Sequence, residues 1–252
     1  MNILVTGAGS GLGRGLAGCL AAPGRTLFVT DRNFDSARGT VALIEQAGHA
    51  AEAFELDVTR PEAIDALRQR LTGRTIDVLI NNAGLQHVAK IEEFALSQWD
   101  LLSDVLLRGT FLMTQAVIPR MREQNFGRII QIGSIHSLVA SPFKSAYVAM
   151  KHALLGFSKV IALETAAWDI TCNTICPAYL RTPLVDAQIR DQARTRQISE
   201  EEVIERIMLQ PMPKKSFISI DEVAAAVEFL IQPLARNITG QTITIDGGWT
   251  AQ

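Results

Sequence analysis

The stretch Ile3-Leu-Val-Thr-Gly-Ala-Gly-Ser-Gly-Leu-Gly13 sets the architecture of the whole chain. Ile3 to Thr6 reads as a short buried strand, Gly7 to Gly13 as a glycine turn, and Leu12 to Ala22 as a helix. A strand passing through glycines into a helix is the opening of a parallel β-α-β unit. The glycines fall at Gly7, Gly11 and Gly13, a G-x-x-x-G-x-G spacing, with Ser10 and Leu12 between them. Backbone without side chains approaches a diphosphate closely, at the positive end of the helix that follows.

Working outward, the same alternation runs to the other end. Thr26–Thr30, Ala51–Leu56, Ile76–Ile80, Arg128–Gly133, Ile170–Ile175 and Gln241–Ile245 read as strands. Helices are expected from about Asp35 to Ala47, from Pro61 with Thr59 or Arg60 near its cap, and from Ala146 to Gly156. A long helix capped by Ser97 carries Trp99, Leu102, Val105 and Leu106 at helical spacing, with a kink expected at Pro119. Ser219-Ile-Asp-Glu222 is a capping box that opens a helix through Ile231. Seven strands alternating with helices predict an α/β fold, a doubly wound parallel sheet with helices on both faces. No linker, repeat or low-complexity tract interrupts it, so residues 1–252 read as one dinucleotide-binding catalytic domain. The charged segment 184–217 carries two short helical patterns and no strand. It is too long for a plain connection and reads as a lid over a site.

Composition excludes several classes. The chain has 252 residues, is 48% hydrophobic and carries a formal charge of −2, so no basic field attracts nucleic acid or anionic lipid. No apolar run in the sequence reaches membrane-spanning length. The chain starts directly on a strand, so no leader peptide is expected. Three cysteines, Cys19, Cys172 and Cys176, form no disulfide framework, and the last two read as small buried residues. The expectation is a soluble cytoplasmic protein with no metal site, no nucleic-acid partner and no membrane partner.

Candidate site residues cluster at strand ends, where ligands bind along the carboxyl edge of a parallel sheet. Asp31 ends the second strand; a carboxylate there accepts the adenosine ribose hydroxyls and repels a 2′-phosphate, which the adjacent Arg32 would attract. Asp57 and Val58 follow the third strand, Asn82, Ala83 and Gly84 the fourth, and Ser134 the fifth. Tyr147 and Lys151, four apart, share one helix face. A phenol has a reference pKa of about 10. An ammonium at roughly 4 Å, at an effective dielectric of about 20, favours the phenolate by about 4 kcal/mol before desolvation, or about three pKa units. Lys151 is therefore expected to bring Tyr147 near working pH, where a general acid or base is most effective.

These residues together resemble the short-chain dehydrogenase/reductase family over essentially the whole chain. The matching motifs are Thr6-Gly-x-x-x-Gly-x-Gly13, Asp57, Asn81-Asn-Ala-Gly84, Ser134 with Tyr147-x-x-x-Lys151, and Pro177 with Thr182. The resemblance implies a three-layer Rossmann fold, hydride transfer with a nicotinamide, and a homotetramer. It makes Tyr147 the proton donor or acceptor, Lys151 the holder of the nicotinamide ribose, and Ser134 the group that orients the reacting oxygen. Four further runs lie outside the general motif: Asn82–Val88, Leu138–Tyr147, Ile198–Val203 and Asp246–Gln252. They are similar to the branch of the family that acts on D-3-hydroxybutyrate. That implies NAD as cofactor, and a small carboxylic acid bound by Gln86, His136, Lys144 and Gln188, with Trp249 closing the pocket wall.

Two departures stand out. The family usually has an Asn in the long helix, credited with a kink and a bound water; Leu106 stands there, and only its carbonyl remains to hold water. Pro177-Ala-Tyr179 replaces the usual Pro-Gly. The alternatives are a dehydrogenase for another small hydroxy or keto acid, and a dinucleotide-binding protein that has lost turnover.

Overall fold

The structure, a computed structural model, describes residues 1–251; Gln252, the last residue of the run from Asp246, lies outside the described residues. The strands are β1 Asn2–Val5, β2 Thr26–Asp31, β3 Ala50–Glu55, β4 Val78–Asn81, β5 Gly127–Ile132, β6 Ile170–Pro177 and β7 Thr242–Ile245. They form one parallel sheet in the order β3-β2-β1-β4-β5-β6-β7, the expected doubly wound α/β arrangement. The order reverses direction between β1 and β4. Connections leave that point on opposite faces and open a crevice at the strand ends.

The helices are α1 Gly11–Cys19, α2 Phe34–Gln46, α3 Pro61–Arg70, α4 Leu96–Ser103, α5 Gly109–Glu123, α6 Ser145–Glu164, α7 Pro183–Arg196, α8 Glu200–Val203 and α9 Ile220–Ile231. One core packs α1, α2 and α9 on the sheet through Leu16, Ile44, Val223 and Val227. The other packs α3, α5 and α6 through Ile64, Leu67, Met113, Val117 and Ile161. The expected capping box forms at α9, where Ser219 Oγ accepts from Glu222 N at 3.1 Å and Glu222 Oε2 accepts from Ser219 N at 2.7 Å.

The long helix differs from expectation at both marked positions. Ser97 does not cap it. The chain arrives through a tight turn, Ile91–Glu93, and the extended residue is Ala95, whose carbonyl accepts from Gln98 N at 3.0 Å and Trp99 N at 3.1 Å. The irregularity is not at Pro119, through which α5 continues, but in one π-helical turn at Asp104–Arg108 between α4 and α5. Two helical stretches, Leu96–Glu123 and Ser145–Glu164, are long and apolar enough to cross a membrane by length and composition, which the sequence reading did not anticipate. Both lie against the sheet.

The lid segment folds as α7, α8 and a π-helical turn at Ile204–Met208. Val203 and Met208, fully buried, seat it on the first core.

Candidate active site

One cavity of about 550 Å³ runs along the strand ends from Asp31 to Lys144. Its floor at one end is the glycine turn. Gly7 and Gly11 have φ of +62° and +53°, the left-handed region that side chains rarely enter. A Cβ on Gly9 would lie 2.7 Å from the Asp31 carboxylate, and one on Gly13 would lie 2.4 Å from Asn82 Nδ2. Gly11 faces open space, with only Thr182 Cβ at 4.0 Å. Ser10 gives the first turn of α1 no side-chain cap and no acidic residue lies in that turn, so its amides stay free toward the cavity. The residues present therefore fit a dinucleotide diphosphate.

The acidic and amide residues around that floor are held in place. Asp31 Oδ2 accepts from Gly9 N and Oδ1 from Asn33 N, both at 2.9 Å. Asp57 Oδ1 accepts from Thr59 N at 2.9 Å and Thr59 Oγ1 at 2.7 Å. Asn82 Nδ2 donates to Thr6 O and Gly7 O at 2.9 and 3.1 Å, so it braces the glycine turn. Val58, Ala83, Gly84, Leu12, Pro177 and Thr182 complete the walls.

The centre of the cavity holds Ser134, Tyr147 and Lys151. Ser134 stands beyond β5 as the cap of a short turn, its Oγ accepting from His136 N at 3.1 Å. Tyr147 and Lys151 stand one turn apart on α6, with Lys151 Nζ 5.7 Å from the phenol ring centre. The expected lowering of the phenol pKa is not what this geometry gives. Burial pushes Tyr147 above the usual phenol range, and a hydrogen bond with Ser134 pulls it back only in part. Lys151 is itself pushed down to about 8 by burial, and Nζ donates to Ile132 O at 2.6 Å.

Leu106, nearly fully buried, sits in the π-turn, packed with Leu102, Ala146 and Met150. Its carbonyl accepts from Thr110 Oγ1 at 3.0 Å. The irregular turn thus forms without an Asn.

The other end is polar and buried. Gln188 Nε2 on α7 donates to Gln86 Oε1 at 2.9 Å, linking lid to the β4 loop. Gln86 Nε2 and Gln188 Oε1 remain buried with no partner. Whichever way the two amides are turned, one free donor and one free acceptor are left. Lys144, 5% exposed, has no acidic partner among the described residues and is pushed down to about 8 by burial. His136 is lowered to about 3 by burial, then by the Lys144 charge, so its ring is neutral at working pH. Its Nε2 shares a 2.8 Å hydrogen bond with Ser141 Oγ. Trp249 does not line the cavity, because another ring stands in front: it stacks on Tyr179 at 6.1 Å and meets His136 edge-on at 6.0 Å. Tyr179 is one of the lining residues that the motifs do not single out; its signal in the sequence was its place in the altered Pro177-Ala-Tyr179.

A family profile described as enoyl-(acyl carrier protein) reductase matches residues 7–250. The D-beta-hydroxybutyrate dehydrogenase of Rhizobium meliloti strain 1021 is 43% identical, covering 99% of this chain and 98% of its own. The chain belongs to the short-chain dehydrogenase/reductase family. Another member, the D-beta-hydroxybutyrate dehydrogenase of Cupriavidus necator, is 40% identical over 99% of this chain and 97% of its own. Among solved structures, a variant of actinorhodin polyketide ketoreductase with NADPH superposes with a TM-score of 0.94 at 32% identity, covering 100% of this chain and 97% of that one. This short-chain dehydrogenase/reductase is accordingly an oxidoreductase whose fold takes a nicotinamide dinucleotide.

Proposed function

We propose that the chain interconverts D-3-hydroxybutyrate and acetoacetate with NAD. The observation that carries this is one cavity in which Ser134, Tyr147 and Lys151 stand beside an unpaired buried ammonium, Lys144, and the amides of Gln86 and Gln188. A buried cation with no acid is costly unless an anion arrives, and a small carboxylate is the anion that places a reacting carbon next to Tyr147. His136 lends a neutral ring and Trp249 supports the wall from behind.

A nicotinamide dinucleotide would supply the hydride chemistry when bound in this cavity. Gly7, Ser10, Gly11, Leu12 and Gly13 would hold its diphosphate, and Asp31 its adenosine ribose. Asp57 and Val58 would flank the adenine; Asn82, Ala83, Gly84, Pro177, Thr182 and Lys151 would line the nicotinamide half. Tyr147 takes the alcohol proton as the ketone forms and returns it in the reverse direction. Ser134 hydrogen-bonds the same oxygen. Lys144, Gln86 and Gln188 hold the carboxylate, and Gln188 arrives with the lid. Asp31 favours NAD because its carboxylate, fixed by two amides, repels a 2′-phosphate.

Initial rates with D- and L-3-hydroxybutyrate and both nicotinamides test the reading. D-selective turnover with NAD at millimolar substrate is expected, and its absence removes the proposal. Turnover restricted to other hydroxy acids in a panel would move it to the second reading, a dehydrogenase for another small acid. In Asp31→Ala, discrimination against the 2′-phosphorylated cofactor should relax.

We also propose that the chain works in the cytoplasm as a homotetramer. Val160 and Leu163 on α6 and Phe111 on α5 expose apolar surface, as do Phe229 on α9 and Leu234 in the turn that follows it. Such faces suit association with further copies.

A further inference from the structure

Tyr179 has no role in the reaction outlined above, yet it lines the cavity together with Lys144, Gln86 and Gln188. Its backbone is fixed on both sides: Tyr179 O accepts from Ile218 N at 2.9 Å, and the preceding Ala178 N donates to Ile245 O at 2.8 Å. The ring is stacked on Trp249 and stands 6.3 Å from the His136 ring, edge-on. Lys144 Nζ donates to the Tyr179 hydroxyl at 3.2 Å. That hydroxyl is the only hydrogen-bond acceptor the Lys144 ammonium reaches among the described residues.

A phenol hydroxyl has one proton and two lone pairs. The Lys144 bond occupies one lone pair and leaves the proton. No acceptor for that proton lies within hydrogen-bond distance among the described residues, and the open side of the ring faces the cavity. An ammonium pulling on the oxygen makes the O–H a stronger donor, because hydrogen bonds in a chain polarise one another. Burial pushes Tyr179 up to about 12, so the proton stays on across the working range. The His136 ring lies edge-on to Tyr147 at 6.1 Å as well as to Tyr179, so the two phenols flank one imidazole.

We propose that Tyr179 is a further substrate ligand: it accepts from Lys144 and donates its own proton to the substrate carboxylate. The proposal rests on the acid substrate proposed above and adds a specificity-determining residue to it. Lys144 and Tyr179 act as one receptor, with the cation behind the phenol as well as beside the anion.

The test is Tyr179→Phe, which removes one oxygen and keeps the ring on Trp249. KM and kcat are measured for acetoacetate and for methyl acetoacetate, which has the same reacting ketone and no charge. KM for acetoacetate should rise about tenfold, the usual effect of losing a hydrogen bond to a charged group. Its kcat should hold within about twofold, and the ester should respond equally to both proteins. Equal shifts for acid and ester, or an unchanged acid KM, would overturn the proposal. Binding of butyrate to the protein with NADH, followed by calorimetry, separates the two readings. Weaker butyrate binding in Tyr179→Phe supports the ligand role even if the parent turns over no 3-hydroxy acid, an outcome that sinks the proposed function alone. Equal butyrate affinity in parent and variant, or no binding to the parent, overturns the ligand role.

Discussion

Tyr147 is a half-buried phenol whose pKa burial pushes above the usual range. At neutral pH it holds its proton, which in the proposed reaction it would give to a ketone oxygen. Tyr147→Phe should lower kcat by at least about a hundredfold while cofactor binding, read by fluorescence titration, survives. Lys144→Ala should raise KM for the acid substrate and leave kcat nearly intact, and an unchanged KM would place the carboxylate elsewhere. Lys144 and Lys151 have pKa values lowered by burial from 10.5 to about 8. Between about 8 and 10.5 the unfolded chain binds more protons than the folded one, so folding stability rises with pH across that window. Activity runs the opposite way: kcat/KM for acetoacetate should fall as pH rises past about 8, where Lys144 loses the charge that attracts the acid. A pH–rate profile checks this. Ser134, Tyr147 and Lys151 were legible in the sequence because a strand end and one helix turn place them together. Tyr179 was not, since its partner Lys144 is 35 positions away and only packing joins them.

At the scale of elements, the last turn shows how a short segment fixes a distant ring. Asp246 accepts from Gly248 N at 2.9 Å, Thr250 N at 2.8 Å and Thr250 Oγ1 at 2.7 Å. Burial alone would raise its pKa, but these bonds outweigh burial and leave the carboxyl below its ordinary value. Its contribution is therefore present above the unfolded carboxylate pKa and lost as pH falls through the folded one. Asp246→Asn should cost about 1–2 kcal/mol at pH 7 by urea denaturation, with a smaller difference in acid. It should also raise KM for the acid, because Trp249 stands on this turn and backs Tyr179. The capping box at Ser219 was readable because its partners are three residues apart. The start of α4 was not: Ser97 has capping chemistry, but the preceding turn at Ile91–Glu93 decides which residue is extended, and Ala95 takes that place. The π-turn at Asp104–Arg108 was equally hidden, because one extra residue in a helical ladder leaves no local composition signal.

For the whole molecule, the doubly wound parallel sheet followed from the alternation of strands and helices and from the glycine turn, both of which are local patterns; the strand order is set by long-range pairing and was not legible. Assembly is a property of surface. Leu163 is 79% exposed on α6, so Leu163→Glu should lower the assembly state without unfolding the chain, as read by light scattering beside circular dichroism. A parent that is monomeric at micromolar concentration would contradict the tetramer. The net charge of −2 gives no long-range pull on an acid substrate, so collisions are unsteered and discrimination waits until the crevice is reached. There, on the proposed function, Lys144 selects for a small anion. Acetate, phosphate and chloride in an assay medium would then be rivals for that place, and raising their concentration should weaken the apparent affinity for the acid. Bulky zwitterionic buffers at low ionic strength leave the crevice vacant and reveal its intrinsic preference.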